Sequence, residues 1–354
     1  MKILLLGEYS ALHKNLKEGL QELGHSVTVA ASSDGFKKIN ADISLDPVLP
    51  ASLGKIERSI RHFLVPVWAK NYDVVQVVNP FIFKPYSMLE HFYRYLQREN
   101  ERLFFLAAGD DAYYWRNGRA FLKYGPFDDF LKYDLKSSQS PFEADKIYSI
   151  NKRVTESSHG VIPVMYEYDV SYTGHEKKRS LIPLPLNTRS VKYYENRPAE
   201  KIVIFHGLNR YGFKGTRHVE RAFEVLERKY SKHLELIIDG NMPLDRYLPI
   251  MQRANVIIDQ TSSYSLGMNG IYALAMGKVV FGGAEPESLA AMGVTTSPVI
   301  NVLPDYSSIV AEVERILDNR TEIEAIGQES REFAERVHDN VIVAEKYLKI
   351  WCGD

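Results

Sequence analysis

A single cysteine, Cys352, rules out any disulfide within the 354 residues and suits a reducing compartment. No apolar run approaches the roughly 18 residues of a membrane span. The opening MKILLLGEYS offers only about five apolar residues after Lys2, short of the roughly 7–15 of a secretory h-region. Gly7-Glu8 then interrupts them. It reads as a first buried strand, and the protein as cytoplasmic. A net charge of −1 gives no basic face for nucleic acid. The dinucleotide fingerprint is missing after the first strand, where Gly7 stands alone, and no Walker lysine pattern occurs, which disfavours NAD and P-loop chemistry. There is no D-x-D pair and no Cys/His cluster, so neither a metal nor another cofactor is expected.

What is present is an α/β pattern. KILLL (2–6) is a continuous apolar strand, followed by a turn and a helical stretch with leucines at 12, 16, 20 and 23, the spacing of one helix face. Gly24 stands at a C′ position, and SVTVAA begins the next strand. Strand–helix–strand of this length implies parallel pairing with a right-handed crossover. The alternation continues through DVVQVV (73–78), a helix near 86–98 and LFFLAA (103–108), with further extended runs at 160–165 and 181–186.

A polar stretch without apolar period, 187–200, reads as a linker. A second alternation begins at KIVIFHG (201–207), with strands at 234–239, 255–259, 278–283 and 297–303. The expected architecture is two Rossmann-like, doubly wound parallel-sheet domains facing a central cleft. Residues 1–186 form the acceptor-side domain and 201–337 the donor domain. The helix at 338–354 crosses back to the first domain.

In open parallel sheets, ligands sit at the carboxyl ends of strands. After 201–205 comes HGLNRYGFKGT, with Arg210 and Lys214 on a glycine-containing loop, which suits a diphosphate clamp. The bland alternative is a solvated loop. In SSYSLGMNG, the amides near Gly267, Met268 and Asn269 open a helix, and helix N-termini bind anions without charged side chains. Those glycines equally permit tight helix–strand packing. Asp259-Gln260 ends a strand beside this loop, open to a ribose contact and more simply a turn.

Together these segments resemble the donor half of GT-B glycosyltransferases, particularly glycosyltransferase family 4. Arg210 and Lys214-Gly215 match the family's "R…K-G" loop, and YSLGMNGIYALAMGKVV matches its helix segment with Gly267 and Gly277 retained. The departures are definite. The family's two bracketing glutamates, the second of which grips the ribose, align with Tyr264 and Tyr272. The proline before Val-Val is replaced by Val279. The usual first-domain histidine is not at its place, and AAGDDAYYWR offers Asp110 and Asp111 instead. Those aspartates are the catalytic candidates, though an aspartate there also serves as a helix N-cap. Tyr113 and Trp115 are candidates for stacking on sugar rings, with Gly7 and His13 on the acceptor side. A lone His13 or His206 is more often structural.

The resemblance implies a retaining, metal-independent transfer of a hexose from a nucleotide sugar to a glycan or lipid-linked saccharide, with peripheral membrane association among its expectations. Two alternatives stay open: a sugar-nucleotide epimerase on the same fold, and a non-catalytic nucleotide- or sugar-binding partner.

Overall fold

The computed structural model describes residues 1–32, 39–49, 51–240, 242 and 244–353. The chain divides into two compact units. Met1–Phe121, Pro141–Pro185 and Asn340–Asp354 form the first, and Leu122–Ser140 with Leu186–Asp339 the second.

The first unit is built on β1 (Lys2–Leu6), β2 (Ser26–Ala31), β3 (Ile43–Ser44), β4 (Val74–Val77), β5 (Leu103–Ala107) and β6 (Gly160–Pro163). All pair in parallel, in the order β3-β2-β1-β4-β5-β6. Strands covered on both faces read as unbroken apolar runs, and β5 is buried along its whole length. The helix Leu12–Glu22 buries Leu12, Leu16 and Leu20. Its other neighbour is the last helix, Asn340–Cys352. That approach needs Gly19, because a Cβ there would come 2.1 Å from the Asn340 carbonyl oxygen.

The second unit holds β7 (Ile202–Leu208), β8 (Leu234–Gly240), β9 (Val256–Ile258), β10 (Val279–Gly282) and β11 (Ile300–Asn301). They too are parallel, ordered β8-β7-β9-β10-β11. Ile202, Ile204, Val256, Ile258, Val279 and Phe281 join one core with Val219, Leu226 and Val313 from the covering helices.

Three features depart from the sequence expectation. Residues 122–140, placed in the first domain by chain order, pack in the second unit. The stretch 187–200 is packed rather than a free linker. Asn196 and Asn255 bind each other reciprocally at 2.9 Å, and the Tyr194 amide donates to the Met276 carbonyl. Amide-to-amide anchoring leaves no apolar period to read. Finally, an 18-residue helix, Ala51–Trp68, stands where no element was assigned.

Candidate functional site

In the second unit the chain runs from β7 outward to β8, then crosses back over to β9. The carboxyl ends of β7 and β9 therefore flank the point where strand order reverses, the place where such sheets hold ligands. Loops 209–215 and 259–267 leave from it. His206, near the end of β7, ties the crossing together. Its Nδ1–H donates to the Ile258 carbonyl at 2.9 Å, so its Nε2 accepts from the Thr216 hydroxyl at 3.0 Å. Burial pulls its pKa down to about 4, which keeps the ring neutral and structural. Gly215 has φ +68, and a Cβ there would fall 2.2 Å from Thr261 Oγ1. Only glycine lets the two loops close on each other.

That closure brings Lys214 and the start of the helix Met268–Ala275 together through Asp259. Lys214 is 6% exposed and Asp259 fully buried. The Lys214 ammonium donates to Asp259 Oδ1 at 2.5 Å, and the Gly267 amide to Oδ2 at 2.8 Å. Asp259 is thus neither a turn former nor a ribose contact. It is an internal anion in the seat the sequence offers to phosphate. A buried carboxylate needs such partners, since unpaired it would cost several kcal/mol. The next amides, of Met268 and Asn269, lie in the first helical turn, where no intrahelical carbonyl reaches them. The Asn269 side chain accepts from the Tyr247 hydroxyl at 2.6 Å, while its Nδ2 is buried without a partner. Burial raises the Tyr247 phenol well above its usual range.

Arg210 lies on the same loop but is exposed, its guanidinium 3.7 Å over the Phe213 ring. The two cations differ: one is buried and paired, the other faces solvent. The loop carrying them is held by the segment 122–140. Asp134 Oδ2 accepts from the Gly212 and Phe213 amides at 2.7 and 3.0 Å, and Phe130 packs edge-on against Phe213. Tyr264, aligned with the first family glutamate, is also held there. It is buried, accepts from the Lys123 amide at 3.1 Å and stacks on Tyr124. Tyr124 donates onward to Glu285 at 2.7 Å. Tyr264 is a packing residue, whereas Tyr272, on the helix itself, is half-buried.

In the first unit the strand order reverses between β1 and β4. Gly7 has φ +82, and a Cβ there would strike Val78. His13 donates from Nδ1 to the Gly7 carbonyl at 2.7 Å, leaving Nε2 to accept from Gln76 at 3.2 Å. It has no exposed surface, and burial lowers its pKa to about 4. An acceptor-side contact by His13 is corrected on that ground. Glu8, missed by the sequence reading, accepts from the His13 and Lys14 amides at 3.3 and 2.8 Å and so occupies the helix N-terminus.

The two catalytic candidates have separated. Asp111 is fully buried and accepts from the Tyr114 amide and the Tyr172 hydroxyl, at 2.8 and 2.7 Å. Burial raises its pKa to about 6. This is the capping geometry, and it takes Asp111 away from any substrate. Asp110 is partly exposed and accepts from the Trp115 indole at 3.0 Å. Tyr113 and Trp115 are 5% and 1% exposed, with Tyr113 stacked on Tyr172. Neither offers a face to a sugar, which corrects the stacking reading.

No protein-family model matches the sequence, and no curated protein matches it. The fold has clear relatives among solved structures. A sucrose-phosphate synthase from Thermosynechococcus elongatus gives a TM-score of 0.65 at 15% identity, covering 100% of this chain and 99% of that one. HepE from Anabaena, in complex with UDP and glucose, gives 0.64 at 10% identity with 100% of both chains covered. UDP-GlcNAc 2-epimerase from Neisseria meningitidis, bound to UDP-GlcNAc, gives 0.54 at 13% identity, again over 100% of both. At such identities the likeness establishes the fold: two parallel-sheet α/β domains matching the GT-B glycosyltransferases.

Proposed function

We propose that the chain transfers a hexose from a nucleotide-diphosphate sugar to an acceptor hydroxyl on a glycan or lipid-linked saccharide, retaining configuration and using no metal, in cell-surface polysaccharide or glycan synthesis. The observation that carries this reading is the β7–β9 crossing. There, a glycine-closed loop pair sets Lys214, and the loop of Arg210, beside the first turn of Met268–Ala275. The roles are divided. Arg210 approaches the diphosphate from solvent, the Met268 and Asn269 amides meet it at the helix start, and Lys214 exchanges part of its contact with Asp259 for phosphate. Spreading the leaving group's charge over fixed donors stabilises the transition state. On the acceptor side Asp110 is the remaining carboxylate. That HepE is solved with UDP and glucose and the epimerase with UDP-GlcNAc supports a sugar nucleotide as ligand.

A non-catalytic binding partner is the second reading, favoured by one observation: Asp259 already neutralises Lys214 and the Gly267 amide. Incubation with UDP- and GDP-hexoses, with and without acceptor saccharides, separates the cases. Sugar transfer that requires acceptor supports the transferase. Stereochemical change without acceptor supports the epimerase, and nucleotide-sugar binding without turnover the partner. No binding at all would sink the donor site.

A further inference from the structure

The structure assigns a second role to the first unit: the helix Ala51–Trp68 and the turn before it form a surface that docks on an anionic lipid membrane. Amphipathic helices ordinarily turn their large apolar residues inward. This one does the reverse. Among its described side chains and glycine, the buried positions are Gly54 and Val65, followed by Ala69 just past its end. Its large apolar residues, Ile56, Ile60, Phe63, Leu64 and Val67, recur at helical spacing on the outer side, with Phe63 67% exposed and Ile56 61%. Val48 and Leu49 extend the patch and are 81% and 50% exposed. Among the described residues, seven of the thirteen exposed large hydrophobics lie in these twenty positions. Clustering of this kind marks an interaction site, whereas scattered exposed leucines do not.

The occupant follows from charge. The helix carries three basic residues, Lys55, Arg58 and Arg61, against one acid, in a chain of net charge −1. That acid, Glu57, accepts from Arg61 at 2.8 Å and from the Val48 and Leu49 amides at 2.9 and 2.7 Å. It is spent on holding the turn against the helix. A second copy packed about a two-fold axis would present the same basic flank to itself, whereas an anionic bilayer complements it. The helix is about 27 Å long at 1.5 Å per residue. Among the described residues no helix is long and apolar enough to cross a membrane. It therefore lies in the interface, apolar side down. This surface does not depend on the donor site.

Flotation of the full chain tests it, using vesicles of phosphatidylcholine alone and vesicles in which part of it is replaced by phosphatidylglycerol. The chain floats with the anionic vesicles, and added salt weakens the association. Ile60→Glu with Phe63→Glu lowers vesicle binding at least about tenfold, and Arg58→Ala about fivefold. Ile60→Ser with Phe63→Ser is the milder pair should the glutamates perturb folding, and unchanged thermal stability shows that the fold is intact. Nucleotide-sugar binding stays at the wild-type level in all of them. Absence of flotation with either vesicle overturns the proposal, as does equal flotation of the Ser pair and wild type. A concentration-dependent dimer that the substitutions dissolve, without vesicle binding, assigns the surface to a second copy and also overturns it.

Discussion

The strand-order reversals of the two units are built alike and then diverge. In each, a buried neutral histidine bridges the first strand's loop or end to the neighbouring strand: His13 to Gly7 and Gln76, His206 to Ile258 and Thr216. In each, a carboxylate sits on helix-start amides, Glu8 in one and Asp259 in the other. Asp259 also holds a lysine. A carboxylate paired with an ammonium stores a cation that an incoming phosphate can share. That pair is why we propose the second unit's reversal as the anion-binding one.

Removing the stored cation is the hardest test of that contrast. Lys214→Met leaves Asp259 buried with only an amide, and unfolding by urea should show a loss of about 3–5 kcal/mol. Adding Asp259→Asn to it should recover much of that stability while donor binding stays lost. If the double variant is no more stable than the single, the pair is not what holds the crossing.

The histidines should give the next largest effect. Both are held neutral with pKa values near 4, against 6.5 when unfolded. Their contribution is complete above pH 6.5 and is lost as the pH falls through 4, by about 3 kcal/mol each at most. Asp111 works in the opposite direction. With its pKa raised to about 6, its contribution is complete below the unfolded value of 3.8 and is lost as pH rises through 6. Asp111→Asn removes that opposing gain, so stability should fall more steeply between pH 6.5 and 4 than in the wild type. Denaturant melts across this range measure the slope, and an unchanged slope would count against the buried, capped assignment of Asp111.

Arg210→Ala should weaken nucleotide-sugar binding by about 2 kcal/mol, the order of a charged hydrogen bond. Thermal stability should stay within a degree or so of wild type, because the side chain is exposed and away from the core. Calorimetry with the sugar nucleotide reads the first effect and a thermal melt the second. Unaltered affinity would remove Arg210 from the clamp.

The smallest effect belongs to the first unit. Glu8→Gln keeps an acceptor over the His13 and Lys14 amides and removes a charge at the helix start, at a cost of about 1 kcal/mol. Donor affinity should not change. A fall in donor affinity like that of Arg210→Ala would erase the distinction between the two reversals.

Much of this was legible in the residues. Apolar runs of strand length and leucines at helical spacing gave the two sheets and their crossovers, and Gly215 and Gly277 stand where the chain packs too tightly for a side chain. The misreadings share a cause. Tyr113 and Trp115 look like sugar platforms in a loop sequence, yet the loop turns them into the core. Asp259 reads as a turn residue because its partner Lys214 lies 45 positions away. The segment 122–140 was assigned by chain order to the first domain, while Asp134, Phe130 and Tyr124 find their partners in loops of the second unit, where the segment packs.

The sequence by itself determined the class of fold, because strand and helix periodicities, glycine positions and connection lengths are local properties that one stretch of chain reveals. It also determined which residue types are present for anion chemistry. Tertiary structure alone decided which of them are available for it. Burial and ion pairing are settled by whichever distant segments meet. That is why Lys214 is held by a carboxylate, Arg210 is left to solvent, Asp111 is sealed beneath Tyr172, and the apolar stripe of Ala51–Trp68 faces outward.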